Sequence, residues 1–140
     1  MINIHGTLVC FNDEGILLIG NSGSGKSDLA LRLIQEKGAK LVADDRVDIE
    51  NIHGELYGSA PKEIAGKIEI RGLGIAHIDF VPKERITLCI ELCLDRREIE
   101  RMPMPDYVDF LGVSVTKIKL YPFDCSTINK IVAKISGIIS

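Results

Sequence analysis

Eight consecutive residues near the start of the chain match the pattern G-x-x-x-x-G-K-[ST]: Gly20, Asn21, Ser22, Gly23, Ser24, Gly25, Lys26 and Ser27. Glycines in such a loop let successive backbone N–H groups turn inward around phosphate oxygens, and a following helix adds the positive end of its dipole. The lysine supplies a charge for the β- and γ-phosphates of a nucleotide, and the serine supplies a hydroxyl ligand for Mg²⁺. From average composition, a chance match in a chain of this length has a probability on the order of 0.5%. The motif therefore predicts binding of nucleotide phosphates.

The segments on either side of the loop favour a phosphate site over a ligand-free turn. The apolar run Ile16–Ile19 predicts a strand that enters the loop. Ser27–Lys37 predicts an amphipathic helix that leaves it, with Gly38 at the carboxyl-terminal cap. A strand, a glycine-rich loop and a helix in this order are the arrangement in which the motif binds phosphate. A glycine-rich turn without a ligand is the alternative.

Two adjacent carboxylates, Asp44 and Asp45, follow the next predicted strand, Lys40–Ala43. A nucleotide site that performs chemistry needs carboxylates for metal binding and for proton transfer. If this strand runs parallel to the strand before the loop, its carboxyl end lies beside the phosphates, where open α/β sheets bind ligands. We expect one of the pair to act as a general base, and the sequence leaves open which one. A solvated turn is the alternative.

A second block, Glu69-Ile70-Arg71-Gly72-Leu73-Gly74, joins an acidic and a basic side chain to two glycines. Residues two apart on a strand point to the same face, so we expect Glu69 and Arg71 to point the same way. The glycines permit a close backbone approach. A surface salt bridge beside a tight turn is the function-neutral alternative. His5 ends a strand before Gly6, and a lone histidine in such a place is more often structural.

The rest of the sequence predicts the fold that positions these residues, an α/β domain in which strands predominate. We expect strands or hairpins over residues 2–11, 16–19, 40–43, 46–58, 67–70, 86–94 and 113–120, with the first hairpin turn at Asn12–Gly15. Pro61–Gly66 predicts a helical turn, and Arg101–Pro105 excludes regular helix or central strand because of its prolines. The chain closes with an amphipathic helix whose apolar face comprises Ile128, Ile131, Val132, Ile135 and Ile138.

Length and composition limit the classes to which this protein can belong. The 140 residues, 46% hydrophobic and 26% charged, suit one globular domain over residues 1–140. A net charge of −3 gives no attraction to nucleic acid or to an anionic membrane, and no stretch is apolar enough for a membrane span. The four cysteines lack disulfide or zinc spacing, and the amino terminus lacks a signal-peptide pattern. We therefore expect a cytoplasmic protein with reduced thiols.

Taken in order, these blocks resemble the HPr kinase/phosphorylase family, and in particular its carboxyl-terminal catalytic domain. The resemblance rests on Ile4-His5-Gly6-Thr7, the loop Gly20–Ser27, Ala43-Asp44-Asp45 and Glu69–Gly74, and it spans nearly the whole chain. It implies a P-loop kinase fold related to phosphoenolpyruvate carboxykinase, in a short form with the catalytic domain alone. It also implies a protein serine kinase that uses ATP and Mg²⁺ and acts on an HPr-like phosphocarrier of the sugar phosphotransferase system. Homo-oligomers are implied as well, hexamers in the long forms.

By motif position, the resemblance gives roles to individual residues. His5 matches the family's catalytic histidine, and Lys26 matches the lysine of its phosphate loop. Ser27 and Glu69 match the Mg²⁺ ligands.

The catalytic aspartate of the family falls on the Asp44–Asp45 pair, with Asp45 preferred, although the preceding helix is one residue longer than the usual family spacing.

Arg71 and Arg101 are expected to contact phosphate or to shape the catalytic loop, with Arg101 replacing the arginine of the family's Asp-Arg-Leu-Gly. The Gly-Arg-Asn that the family links to dephosphorylation is absent from the corresponding Lys119–Asp124. The resemblance therefore implies the kinase activity and leaves the phosphorylase activity open.

Two other functions fit the loop, because its motif does not name an acceptor. One is a small-molecule kinase, against which the sequence shows no lid or small-substrate pocket. The other is a regulatory module that binds ATP and signals by contact. The apolar helix ending Ile138-Ile139-Ser140 is a candidate oligomer interface, with core packing as the alternative.

Overall fold

The computed structural model describes residues 1–138, and within them the chain forms eleven strands and two α-helices. The helices are α1 (Lys26–Lys37) and α2 (Thr127–Ile135). The strands are β1 (Ile2–His5), β2 (Thr7–Phe11), β3 (Glu14–Ile19), β4 (Lys40–Ala43), β5 (Arg46–Ile52), β6 (Glu55–Ser59), β7 (Lys67–Ile70), β8 (Gly74–His77), β9 (Glu84–Leu92), β10 (Asp106–Phe110) and β11 (Val113–Leu120). Strands predominate, which confirms the predicted β-rich α/β class.

One large sheet positions the loop that carries the glycine motif. Its strand order is β1-β5-β6-β9-β3-β2-β4, with β11 also paired to β9 and β10 paired to β11. The strands β3, β9 and β11 run parallel to one another, whereas the remaining pairs of this sheet are antiparallel. A separate two-stranded sheet joins β7 and β8. The carboxyl ends of β3, β9 and β11 therefore open at one edge of the sheet.

The central strands are buried on both faces, which explains their near-continuous apolar sequence. Leu18 of β3 lies in one buried cluster with Leu29 of α1 and Ile131 of α2. Leu17 points to the opposite face and lies in a second cluster with Ile49 of β5. Because this second cluster joins side chains of β2, β3 and β4 to those of β5 and β6, the sheet curls back over itself.

The position of β4 differs from the parallel pairing that the sequence suggests. β4 pairs antiparallel with β2, and β2 pairs antiparallel with β3. Two antiparallel steps make β3 and β4 point the same way, with β2 between them. The expected consequence holds: the carboxyl end of β4, and with it Asp44, reaches the edge of the sheet that carries the loop. The intervening strand adds a residue to that edge, Thr7 at the start of β2.

Several segments depart from the expected bounds. The first hairpin turn contains only Asn12 and Asp13, with φ angles of 51° and 61°, whereas Glu14 begins β3. β10 is not predicted by its sequence, because it is an edge strand with mostly exposed side chains and lacks a clear apolar alternation. Helix α1 begins at Lys26, one residue earlier than expected, and ends at the predicted Gly38 cap.

The carboxyl-terminal helix is shorter than its apolar spacing predicts. α2 ends at Ile135, and Ile138 lies beyond it with an exposed side chain. Ile128 and Ile131 are buried in the core. Val132 and Ile135 are partly buried against the same core, so the helix packs against the domain along its length. The rest of the proposed interface, Ile139-Ser140, lies outside the described residues. In residues 1–138, no helix has both the length and the apolar character needed to cross a membrane.

Candidate active site

The glycine motif forms the turn between β3 and α1 that its sequence predicts. Gly20 leaves β3 so tightly that a Cβ atom there would lie 2.7 Å from Ser24 Oγ and 3.0 Å from Leu92 O. Gly25 precedes the first residue of α1 with a φ angle of 89°, a conformation that disfavours L-residues with a side chain. The first turn of α1 thus opens directly from the loop, with its free N–H groups and positive dipole end at the loop.

Lys26 spans the loop from the first turn of α1. Its Nζ donates to the carbonyl oxygens of Gly20 at 2.9 Å and Asn21 at 3.1 Å, and it lies 3.5 Å from Ser24 Oγ. The side chain is buried, and this burial lowers the pKa of the Lys26 ammonium, while the charges of Asp45 and Asp44 act in the opposite direction. The lysine therefore fixes the shape of the loop and keeps a positive charge where phosphates would bind.

Asp44 is buried at the end of β4 and is held by three donors. Its Oδ1 accepts from the hydroxyl of Ser27 at 2.6 Å and from the hydroxyl of Thr7 at 2.9 Å. Its Oδ2 accepts from the backbone N–H of Glu69 at 3.2 Å. These contacts join the loop, β2 and β7 at a single carboxylate, so Asp44 organises the site.

Asp45 points away from its neighbour because the backbone reverses there. Its φ angle is 72°, and the N–H of Arg46 donates to Asp44 O at 2.8 Å across it. Such a tight turn is strained for a residue with a side chain, and strain of this kind clusters at functional sites. The Asp45 side chain is 68% exposed, with its Oδ1 3.5 Å from His5 Nδ1.

His5 is attached to the same turn. Its Nδ1 lies 2.8 Å from the carbonyl oxygen of Asp45, which also accepts from the N–H of Gly6 at 3.1 Å. Because a carbonyl oxygen can only accept, Nδ1 carries the proton of this hydrogen bond. The ring is therefore oriented by the backbone, with the side chain of Asp45 beside it.

A cleft of about 380 Å³ opens beside the aspartate pair. Asp44, Asp45, Glu69 and His77 are among its lining residues, together with Ile68 at its base. The side chain of Glu69 is exposed, so its carboxylate is available to the cleft. His77, to which its sequence context gives no role, joins the site because β8 pairs with β7.

The oxygens at this site fit Mg²⁺ better than a zinc-type centre. Within residues 1–138, no group of three His, Cys, Asp or Glu side chains could hold a metal alone. Ser27 Oγ and Asp44 Oδ1 lie side by side at 2.6 Å, next to the strand that carries Glu69. Mg²⁺ prefers oxygen ligands and is commonly held by one or two carboxylates plus substrate phosphates. The hydroxyl and carboxylate oxygens therefore match the metal that the sequence implies.

The two arginines that complete the predicted site lie in exposed segments. Arg71 falls in the turn after β7 rather than within a strand, so the expected alternation with Glu69 ends at Ile70. Arg101 lies in the irregular segment before β10. Within the described part of the chain, neither guanidinium forms a hydrogen bond or an ion pair. The structure thus brings His5 and the aspartates together with the loop and gives the arginines no fixed contact.

One further residue of the cluster around Asp44 lies within a sequence motif, although the motif does not indicate its contact. Thr7 is fully buried and donates to Asp44, 37 positions along the chain. Its place in the sequence pointed to the site, because Thr7 is the last residue of the block Ile4–Thr7 that carries the family resemblance. Its contact depends on the antiparallel pairing of β2 with β4, which brings Leu8 opposite Ala43.

Fold and site together define a class: a β-rich α/β domain whose glycine-rich loop, buried lysine and aspartate pair meet at one edge of the sheet. Residues 1–136 match the family described as HPr Serine kinase C-terminal domain. The chain belongs to this family, which confirms the resemblance seen in its motifs.

Relatives and a solved structure agree with this assignment. The HPr kinase/phosphorylase of Clostridium beijerinckii is 39% identical over 125 residues, covering 82% of this chain and 41% of the relative. That of Clostridium kluyveri is 39% identical over 127 residues, covering 84% of this chain and 41% of the relative. The chain therefore spans less than half the length of these curated relatives. The structure of the Hpr(Ser) kinase/phosphatase from Coxiella burnetii matches with a TM-score of 0.80 and 26% identity, over 98% of this chain and 100% of that one.

Proposed function

We propose that this chain is the catalytic unit of a protein serine kinase that transfers the γ-phosphoryl group of ATP to an HPr-like phosphocarrier. Family membership and the similarity to HPr kinase/phosphorylases support both the reaction and the acceptor. The observation that carries the mechanism is the opposite placement of the two adjacent aspartates. Asp44 is buried against Ser27, and Asp45 is exposed beside His5.

The placement of Asp45 supports its role as the general base. Its carboxylate lines the cleft and is exposed, so a hydroxyl bound there would have access to it. In the proposed step, Asp45 accepts the proton of the acceptor serine while the serine oxygen bonds to the γ-phosphorus. The bond to the bridging oxygen of ADP breaks, and ADP leaves. His5 positions Asp45 and tunes its basicity.

The placement of Asp44 supports a role at the phosphates. Ser27, Asp44 and Glu69 are the residues that would hold Mg²⁺, which supplies charge neutralisation of the phosphate oxygens when bound. Lys26 would exchange its contacts with the loop carbonyls for contacts with the β- and γ-phosphates. Such fixed electrostatic groups carry most of the catalysis in phosphoryl transfer. Arg71 and Arg101 remain proposed contacts to phosphate or acceptor, since both are exposed and neither forms a hydrogen bond or an ion pair within residues 1–138.

The family resemblance also supports four further proposals. These are a P-loop kinase fold related to phosphoenolpyruvate carboxykinase, one domain over residues 1–140, a homo-oligomer and a cytoplasmic location. The net charge of −3 supports a protein acceptor over nucleic acid. The phosphorylase reaction stays outside the proposal, since Lys119–Asp124 lacks the Gly-Arg-Asn.

A transfer assay with labelled ATP and purified HPr tests the proposal. We expect transfer to a serine of HPr, and a loss of about 10²- to 10⁴-fold in Asp45→Asn with ATP affinity near that of the unaltered protein. Asp44→Asn is the matched variant, in which Mg²⁺-dependent ATP binding should weaken as well. Undiminished transfer by Asp45→Asn would exclude this residue as the base. Transfer to a metabolite alone would favour a small-molecule kinase, and binding without transfer a regulatory module.

A further inference from the structure

Two more loops open at the same sheet edge as the phosphate loop. The loop Gly20–Ser27 follows β3, and the segments 93–99 and 121–126 follow β9 and β11, which are parallel to β3. Open sheets with parallel strands bind ligands in the crevice outside the carboxyl ends of those strands. A nucleotide held by its phosphates in the first loop would extend its ribose and base over this edge. The other two loops are therefore candidates for contact with the base.

The segment after β11 touches the phosphate loop directly. A Cβ atom built on Gly25 would lie 2.9 Å from Phe123 Cε1 and 3.0 Å from Phe123 Cζ. One edge of the Phe123 ring therefore rests on the last glycine before α1. Arg32 of α1 fixes this segment, because its Nη1 donates to Pro122 O at 2.8 Å and its Nη2 to Asp124 O at 3.3 Å.

The ring of Phe123 contacts a second aromatic ring but stays half exposed. Tyr121 meets it edge to face, with ring centroids 5.8 Å apart and an interplanar angle of 84°. The guanidinium of Arg96 covers a face of Tyr121 at 3.9 Å and pairs with Asp124 at 2.7 Å. In contrast, 52% of Phe123 is exposed. An aromatic ring of this size contributes most when it is covered, so a fixed and uncovered ring beside a phosphate site points to a flat ligand.

We propose that Phe123 is the stacking platform for the purine base of the nucleotide whose phosphates occupy Gly20–Ser27. The inference rests on the proposed function, since it requires a nucleoside triphosphate in the loop. Stacking uses the π-face that every base presents and discriminates little between bases. The sequence agrees with weak discrimination, because Asn129-Lys130 lies inside α2 and forms no guanine-reading motif. Adenine and guanine nucleotides are therefore expected to bind alike through this ring.

Phe123→Ala separates the base contact from the phosphate contact. Inorganic tripolyphosphate carries the phosphates of ATP without its base, so titration of both ligands in the presence of Mg²⁺ measures the two contributions. We expect the dissociation constant of ATP to rise about five-fold to a hundred-fold and that of tripolyphosphate to stay unchanged. An equal loss for both ligands would show that Phe123 only supports the loop, and no loss for either would show that the ring is idle. Both results overturn the proposal.

Phe123→Trp gives a second measurement that does not depend on the stability of the alanine variant. The chain contains no tryptophan, so the new indole is the only one. Its fluorescence should change on addition of ATP or GTP and remain constant with tripolyphosphate. Tyr107→Trp, at a residue of β10 that is 60% exposed, is the matched control and should respond to none of the three. An unchanged Phe123→Trp signal at saturating ATP would overturn the proposal.

Failure of this inference can be distinguished from failure of the proposed kinase. If the unaltered protein binds neither tripolyphosphate nor ATP, the phosphate site itself is absent and both proposals fall. If it binds both and Phe123→Ala weakens ATP binding no more than tripolyphosphate binding, the phosphate site is intact and only the stacking role of Phe123 is refuted.

Discussion

The cluster around Asp44 and the β7–β8 hairpin border the same cleft but are built in opposite ways. Asp44 is buried, and each of its carboxylate oxygens accepts at least one hydrogen bond from another element. In the hairpin, the turn and the start of β8 (residues 71–75) are all exposed, with Leu73 at 84% and Ile75 at 60%. The carboxylate of Asp44 is held by three hydrogen bonds, whereas the side chains of residues 71–75 form no hydrogen bond or ion pair within residues 1–138.

This difference corresponds to the two tasks of the proposed kinase. Binding and neutralising phosphates requires charges whose positions are fixed before the reaction, because reorganisation would add to the barrier. Contact with an acceptor protein instead requires accessible side chains that can adapt on binding. The comparison therefore predicts large effects on transfer from the cluster and smaller ones from the hairpin.

Apart from the proposed base Asp45, the largest expected effect comes from Lys26→Met, which removes the buried ammonium of the glycine-rich loop beside the cluster around Asp44. Removal of this fixed charge should lower the rate of transfer from ATP by about 10²- to 10³-fold, as for other preorganised electrostatic groups. Lys37→Met, in the last turn of the same helix and exposed, should leave the rate unchanged. Arg71→Met is expected to lower the rate less than Lys26→Met. A larger loss with Arg71→Met would reverse the comparison and assign the main phosphate contact to the hairpin.

A smaller effect, on stability, is expected for Thr7→Val. The substitution removes one of three donors to buried Asp44, while Ser27 still donates to the same oxygen. A hydrogen bond to a charged group contributes about 1.5 to 3 kcal/mol. Urea unfolding should show this loss, and Thr7→Ser should restore most of it. The matched control is Thr87→Val, since among the described residues the buried Thr87 Oγ1 has no partner. That variant should be neutral or slightly stabilising, and an equal loss in both would mean that the Asp44 contact does not matter.

The smallest effect concerns the cysteines, which differ in the same way between buried or half-buried sheet positions and an exposed segment. Burial raises the pKa of the Cys89 thiol to about 12, and burial together with Glu84 raises that of Cys10 to about 12. Cys125, in the segment beside the phosphate loop, is exposed. Because the thiolate is the reactive form, alkylation at pH 8 should modify Cys125 first and the other two slowly, as mass spectrometry of the peptides can measure. Fast labelling of Cys89 would show that the sheet opens.

The same shifts fix the sign of the pH dependence. A thiol with a raised pKa in the folded state stays protonated to higher pH than it does in the unfolded chain. Its contribution to the free energy of unfolding is fully present below pH 9.0, the ordinary value, and is lost as the pH rises towards 12. Unfolding in urea at increasing alkaline pH should therefore become easier over this interval.

The local parts of the fold are predictable because they depend on neighbouring residues. The loop, helix α1 with its Gly38 cap, and the hairpin of β5 and β6 follow from glycine positions and apolar spacing. The partner of β4 cannot be predicted from neighbouring residues, since β2 and β3 are both apolar strands that could pair with it. Nor is β10, an edge strand whose only partner in residues 1–138 is β11. Such pairings are decided by contacts between distant segments.

The sequence alone determined the glycine-rich loop, the aspartate pair and the family, because each is a matter of residue type at short spacing. The tertiary structure decided which aspartate of the pair is buried and which is exposed. Asp44 contacts Thr7 and Ser27 only after β2, β4 and α1 pack together. The tertiary structure also brought Phe123 against Gly25, almost a hundred positions earlier in the chain. Short-range geometry can be read from the order of residues, whereas contacts across the sheet depend on which strands pair.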